Sequence, residues 1–297
     1  MSLVEQTIAR LKKQQATAAK VRPADRSPHV HAPGVTGERL EDTASLAKHI
    51  TVDNAALRAL GYFPEHDKDR QFADQYRRIK RPLIDKALSG GAAVGEPRVT
   101  MVTSALPGDG KTFTSINLAL SMALERDVSV LLIDADVAKR HISELFGLAE
   151  HTGLLDALVD ENLEAESTIV PTTTRGFSIL PAGRPVAGTA ELLSSNRMRK
   201  IVTSLCARNP RRVLLLDSPP LLVTNEARAL LKVAGQVVLV VRAGKTPRQA
   251  INAAVALLDP QQAGGVVLNQ VQQNLTDEYY GYESYGTDDD GTDDDQT

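Results

Sequence analysis

Eight consecutive residues, Ala105-Leu106-Pro107-Gly108-Asp109-Gly110-Lys111-Thr112, follow the pattern G-x-x-x-x-G-K-[ST] except at the first position, where Ala105 replaces glycine. Such a loop binds anions. Gly108 and Gly110 let the backbone curl tightly and aim successive N–H groups at phosphate oxygens. Lys111 would reach the β and γ phosphates of ATP, and the Thr112 hydroxyl would bind Mg²⁺. A helix starting here turns its positive end toward the same anion. Pro107, Gly108, Asp109, Gly110, Lys111, Thr112 and the adjoining Phe113 are therefore the expected nucleotide contacts.

Two apolar runs end in acids. Val130-Leu131-Leu132-Ile133 leads into Asp134-Ala135-Asp136, and Val213-Leu214-Leu215-Leu216 leads into Asp217-Ser218-Pro219-Pro220. In a parallel sheet such ends gather where the phosphate loop sits. There Asp134, Asp136 and Asp217 would coordinate Mg²⁺ with Thr112, directly or through water. Either Asp134 or Asp136 could instead take the proton of an attacking hydroxyl. The bland alternative for each acid is a cap on the next helix or turn.

These residues need a scaffold, and the rest of the chain supplies its pattern. The runs Val99–Thr103, Val128–Ile133, Val213–Leu216, Val237–Val241 and Val266–Leu268, with the shorter Phe177–Leu180, suit strands buried on both faces. Between them Ser115–Leu124, Ala190–Leu205 and Pro247–Leu258 read as helices. The expectation is an α/β fold: a mostly parallel sheet flanked by helices, the architecture of phosphate-loop nucleotide hydrolases. Arg98 opens this domain, assigned to residues 96–274. Before it, residues 49–95 form a helical extension in which Asp69–Leu88 carries Phe72, Tyr76, Ile79, Leu83 and Leu88 at helical steps. Pro82 falls inside that pattern and is expected to kink or divide the helix. Residues 1–48 hold a short amphipathic stretch, Leu3–Gln15, and then a linker rich in Ala, Pro, Gly, His and charge. Residues 275–297 form a low-complexity acidic tail with no basic residue.

Totals narrow the function classes. A net charge of −3 over 297 residues gives no global pull toward nucleic acid, and none is expected as a partner. The lone Cys206 rules out an internal disulfide framework. No apolar run approaches the roughly 18–20 residues that span a bilayer, and the N-terminus lacks the apolar core of a signal peptide. The expectation is a cytoplasmic chain.

A phosphate loop and three acids specify a nucleotide site without a phosphoryl acceptor. The acceptor is suggested by Tyr279, Tyr280, Tyr282 and Tyr285, four of the six tyrosines, set among Gly, Ser and Glu with nothing apolar to pack against. With Pro107–Thr112, the Asp134/Asp136 pair and Asp217, this cluster resembles the bacterial tyrosine kinases of the polysaccharide-export type, particularly the autokinases of exosortase-type systems. The resemblance covers roughly Phe72 to Tyr285. It implies an ATP- and Mg²⁺-dependent autokinase that phosphorylates its own tail in trans within an oligomer, such as a ring. It further implies an inner-membrane chain-length regulator as activator, a location peripheral to that membrane through this partner, and room for a cognate tyrosine phosphatase.

The family's pre-domain motif E-x-x-R-x-x-R, which packs subunits, is met here by Asp74, Arg77 and Lys80, the same in charge but not in type. The second acidic motif usually continues to an Arg; Ala138 stands there, with Lys139 or Arg140 as substitutes. Related ATPases contact the base from positions matching Arg242 and Asn269. The competing resemblance is to partitioning and cell-division-site ATPases, which switch partner or membrane association without phosphorylating tyrosine. Their signature Lys follows the first position of the loop, and Leu106 occupies that place here.

Overall fold

The computed structural model describes residues 50–52, 54–62, 69–89 and 95–271. The leader, the linker and the whole tyrosine cluster lie outside the described residues. Among the described residues no helix is long and apolar enough to cross a membrane.

Each apolar run becomes a strand: β1 (Glu96–Ser104), β2 (Ser129–Asp134), β4 (Phe177–Leu180), β5 (Arg212–Asp217), β6 (Ala234–Arg242) and β7 (Ala263–Asn269). A two-residue strand, β3 (Val170–Pro171), was not expected. The sheet order is β3-β4-β2-β5-β1-β6-β7. Every pairing is parallel except β3 with β4. Side chains alternate across a strand. Val99, Met101, Leu131, Ile133, Leu214 and Leu216 therefore enter one core, while Val102, Val130, Leu132, Val213 and Leu215 enter the other. Strands buried on both faces have to be apolar throughout, which is why the central runs lack a polar alternation; the edge strand β7 departs from that expectation, with Val266 and Leu268 exposed.

Helices α1 (Asn54–Ala59), α2 (Asp69–Leu88), α3 (Lys111–Ala123) and α4 (His141–Leu145) precede or interleave the first strands. They are followed by α5 (Leu154–Val159), α6 (Thr189–Ser194), α7 (Asn196–Arg208), α8 (Asn225–Leu230) and α9 (Arg248–Val255). Two expectations need correction. Pro82 does not divide α2, which continues from Asp69 to Leu88. Pro82 is exposed, so water can serve the backbone group its ring leaves without a partner. The expected single helix over Ala190–Leu205 is two, because Ser195 is extended and caps α7, its hydroxyl accepting from the Met198 N–H at 3.2 Å.

Helix α2 lies along α3 and is fastened to it near both ends of α3. At one end Phe72 and Tyr76 meet in a tilted aromatic pair, Phe72 sits edge-on to Phe113, and Tyr62 stacks on Phe113 with centroids 5.4 Å apart. Tyr76 is buried and its hydroxyl is bonded to Thr114. At the other end the buried Lys80 ammonium donates to the Ser121 carbonyl at 2.7 Å and pairs with Glu125 at 2.8 Å. Lys80 is thus an internal fastener, which corrects its grouping with a subunit-packing surface. Asp74 and Arg77 stay exposed and pair with each other at 2.7 Å.

The two kinds of contact predict opposite outcomes. Lys80→Ala removes a buried donor from the Ser121 carbonyl and should lower stability by about 1–3 kcal/mol in urea unfolding. Arg77→Ala breaks only a solvated pair and should leave the midpoint unchanged.

Candidate active site

The parallel register brings the acids and the loop to one edge. Asp134 of β2 lies opposite Asp217 of β5, and Asp217 lies opposite Val102 of β1, the strand that runs into the loop. The Ala135 N–H donates to the Asp217 carbonyl at 2.9 Å, locking the two acidic strand ends together. Lys111, the first residue of α3, places its ammonium 3.2 Å from Asp136 Oδ2, with both side chains almost wholly buried.

Each acid has its own surroundings. Asp217 is fully buried; its Oδ2 accepts from the Thr112 hydroxyl at 2.8 Å and its Oδ1 from the Ser115 hydroxyl at 2.9 Å. Burial pushes its carboxyl up to about 7, with Lys111 pulling down and Asp134 pushing up. Asp134 Oδ2 accepts from both the N–H and the hydroxyl of Ser143, at 2.8 and 2.7 Å. Burial raises Asp134 to about 6 against the pull of those two bonds. Asp134 Oδ1 has no hydrogen-bond partner, and Asp136 Oδ2 meets Lys111 only at ion-pair distance, outside hydrogen-bond geometry.

Two buried carboxylate oxygens without donors beside a lysine and a threonine fit a hard cation. Among the described residues no group of three or more His, Cys, Asp or Glu forms a ready metal cage. Mg²⁺ would keep waters there and take further ligands from phosphate oxygens. Thr112, Asp134 and Asp136 would hold such a cation, and the Thr112 hydroxyl could do so while still donating its hydrogen bond to Asp217.

The loop owes its shape to contacts the sequence did not advertise. Gly108 and Gly110 have φ of 86° and 95°, whereas Ala105 has no positive φ, so the missing first glycine costs nothing. A Cβ on Gly110 would lie 1.9 Å from Asn269 Nδ2. That amide donates to the Asp109 carbonyl at 3.0 Å, so Asn269 props the loop from the end of β7. The Asp109 carboxylate is turned inward: it accepts from the Thr246 hydroxyl at 2.8 Å and, at 3.4 Å, from the Leu106 N–H. Thr246 in turn accepts from the Arg242 N–H at 2.9 Å. Asp109 therefore braces the loop, and only its backbone is free to face a nucleotide.

Other expected contacts divide. Arg242 ends β6 at this edge, level with Asn269. The Phe113 ring packs in the aromatic cluster with Tyr62 and Phe72, so any contact it makes with a nucleotide falls to its backbone N–H. Arg140 takes a left-handed backbone and donates to the Ala149 and Gly183 carbonyls, which leaves Lys139 as the exposed cation beside Ala138. Ser115, Ser143, Thr246 and Tyr62 were missed. Burial and the Asp217 charge both raise the Tyr62 hydroxyl, so this phenol stands within electrostatic range of the site. Ser115 lay three residues beyond Thr112 and could have been found by helical spacing; nothing in the sequence marked the others.

Comparison with known proteins agrees with this geometry. Residues 98–263 match the family described as AAA domain. The chain is 32% identical over 216 residues to the tyrosine-protein kinase YwqD of Bacillus subtilis (strain 168), covering 71% of this chain and 85% of that one. It is 31% identical over 187 residues to the tyrosine-protein kinase Wzc of Salmonella typhimurium (strain LT2), covering 62% of this chain but only 26% of that one. Among solved structures the VpsO kinase domain superposes with a TM-score of 0.56 at 28% identity, over 70% of this chain and all of that one.

The raised carboxyl of Asp217 fixes a pH dependence. A folded carboxyl titrating near 7 rather than 3.8 keeps its proton where the unfolded chain has lost it, so stability falls as pH rises from about 4 through 7. Without ligand, Asp217→Asn should melt above the wild type at pH 8, and the gap should close toward pH 4. The same variant should lose the Mg²⁺-dependent rise in melting temperature that ATP gives the wild type.

Proposed function

The chain belongs to the bacterial tyrosine-kinase family, and on that footing we propose that it phosphorylates its own tail tyrosines, Tyr279, Tyr280, Tyr282 and Tyr285, in trans within an oligomer. The observation that carries this reading is the meeting of Lys111, Thr112, Asp134, Asp136 and Asp217 at one sheet edge. Mg²⁺, when bound, neutralises charge on the β and γ phosphates. Lys111 and the loop N–H groups stabilise charge on the transferring phosphoryl group, the dominant contribution in such chemistry. The nucleophile is a phenol: as its oxygen bonds to the γ phosphorus, the bond from that phosphorus to the β–γ bridging oxygen breaks, ADP leaves, and the phenol proton must depart. Asp134 or Asp136 orients that hydroxyl and accepts the proton.

Residues 96–274 form the kinase domain in this reading, and residues 49–95 the extension through which subunits pack, with Asp74 and Arg77 on its exposed face. Arg242 and Asn269, level at the ends of β6 and β7, would contact the base in this reading. From the family resemblance we also assign the chain to control of exopolysaccharide synthesis and export. A membrane-embedded chain-length regulator would then be its activator and would hold it at the inner membrane. The competing ATPase-switch reading needs a cation where Leu106 stands, and Leu106 is packed against the apolar core instead.

Incubation with γ-labelled ATP and Mg²⁺ tests the proposal. Label should appear on tyrosine in the tail, fall by about 10²–10³-fold in Lys111→Met, and vanish when all four tail tyrosines are Phe. ATP hydrolysis without tyrosine label would overturn the kinase reading in favour of the switch.

A further inference from the structure

The loops at the catalytic edge are lopsided in charge. Residues 218–224, after β5, contain no ionisable group, and residues 242–250, after β6, carry Arg242, Lys245 and Arg248 with no acid. The first turn of α9 likewise holds no acid. After β2 comes the exposed Lys139, and the nearest exposed acids, Glu144 and Glu150, lie farther along that connection. Arg140 and Arg184 are already engaged, the first by two carbonyls and the second by Asp156. Lys139, Arg242, Lys245 and Arg248 have no ion-pair partner among the described residues.

The substrate has the opposite imbalance. From residue 272 onward the chain carries Asp277, Glu278, Glu283, Asp288, Asp289, Asp290, Asp293, Asp294 and Asp295 and not one cation. Such a segment must approach a centre holding three buried carboxylates, of which only Asp136 is directly paired with a lysine. Repulsion would oppose that approach unless charge outside the centre compensated for it. We propose that Lys139, Lys245 and Arg248 form a cationic rim that captures the acidic tail of a second copy of this chain and selects tyrosines flanked by acids. This rests on the tail being the phosphoacceptor. Because the rim is solvated, its pull is long-ranged at low ionic strength and fades as salt shortens the Debye length to about 8 Å and below.

The test mixes two full-length proteins. The substrate copy carries Lys111→Met and the native tail. The enzyme copy carries Phe at the four tail tyrosines and amides at the nine tail acids, so its own tail neither accepts label nor competes. Adding Lys245→Glu and Arg248→Glu to the enzyme copy should raise KM for the substrate copy about tenfold, with kcat and the KM for ATP within twofold. Lysines at Asp288, Asp289 and Asp290 of the substrate copy should restore the lower KM with the reversed rim and raise it with the native one. A KM insensitive to rim charge, or a loss that the tail reversal does not restore, overturns the rim while leaving the autokinase standing. Absence of label on the substrate copy with the native rim overturns both.

Discussion

Ionisable side chains with almost no access to water meet at the end of this sheet, and the organisation around them follows from that constraint. Asp134 and Asp217 are neighbours in register, so neither can ionise without raising the cost for the other. Lys111 lowers that cost from one side, while hydroxyls from Thr112, Ser115 and Ser143 supply donors from the others. Polar groups this deep are tolerated only when hydrogen-bonded or charge-paired. Asp134 Oδ1 and Asp136 Oδ2 are left without a hydrogen bond, and a cation held there would supply what they lack.

The scaffold was largely legible because a doubly covered parallel sheet needs uninterrupted apolar runs. All six expected strands formed, and the two acidic strand ends met the phosphate loop. What could not be read were contacts between residues distant in sequence. Asn269 holds a loop 160 positions earlier, and Thr246 fastens Asp109 across 137. Phe113 follows the loop directly, and nothing in the sequence showed that its ring packs with Tyr62 and Phe72. Lys80 lay at the same helical spacing as Asp74 and Arg77, but it turns inward to the Ser121 carbonyl and Glu125. Pro82 carried a strong local signal, yet α2 runs on through it undivided. Local pattern fixed the elements, and burial then decided what each side chain did.

The loop also shows how a motif can change without losing its function. A glycine is needed only where the backbone takes a positive φ or another group crowds its Cα, and both hold at Gly110. At Ala105 the backbone torsion is one an alanine adopts readily, and the methyl is buried. The substitution there thus belongs to the packing of β1 rather than to phosphate chemistry.

Helix α2 does more than cover a face of the sheet. It is bound along α3 at two separated points, and the first turn of α3 presents Lys111 and Thr112. Anything that grips the outer side of α2 and shifts it against α3 has to work against those two fastenings, and in doing so displaces the groups that hold nucleotide. Linkage makes the relation mutual: if neighbouring subunits tune the hold on ATP, then ATP tunes their hold on one another by an equal factor.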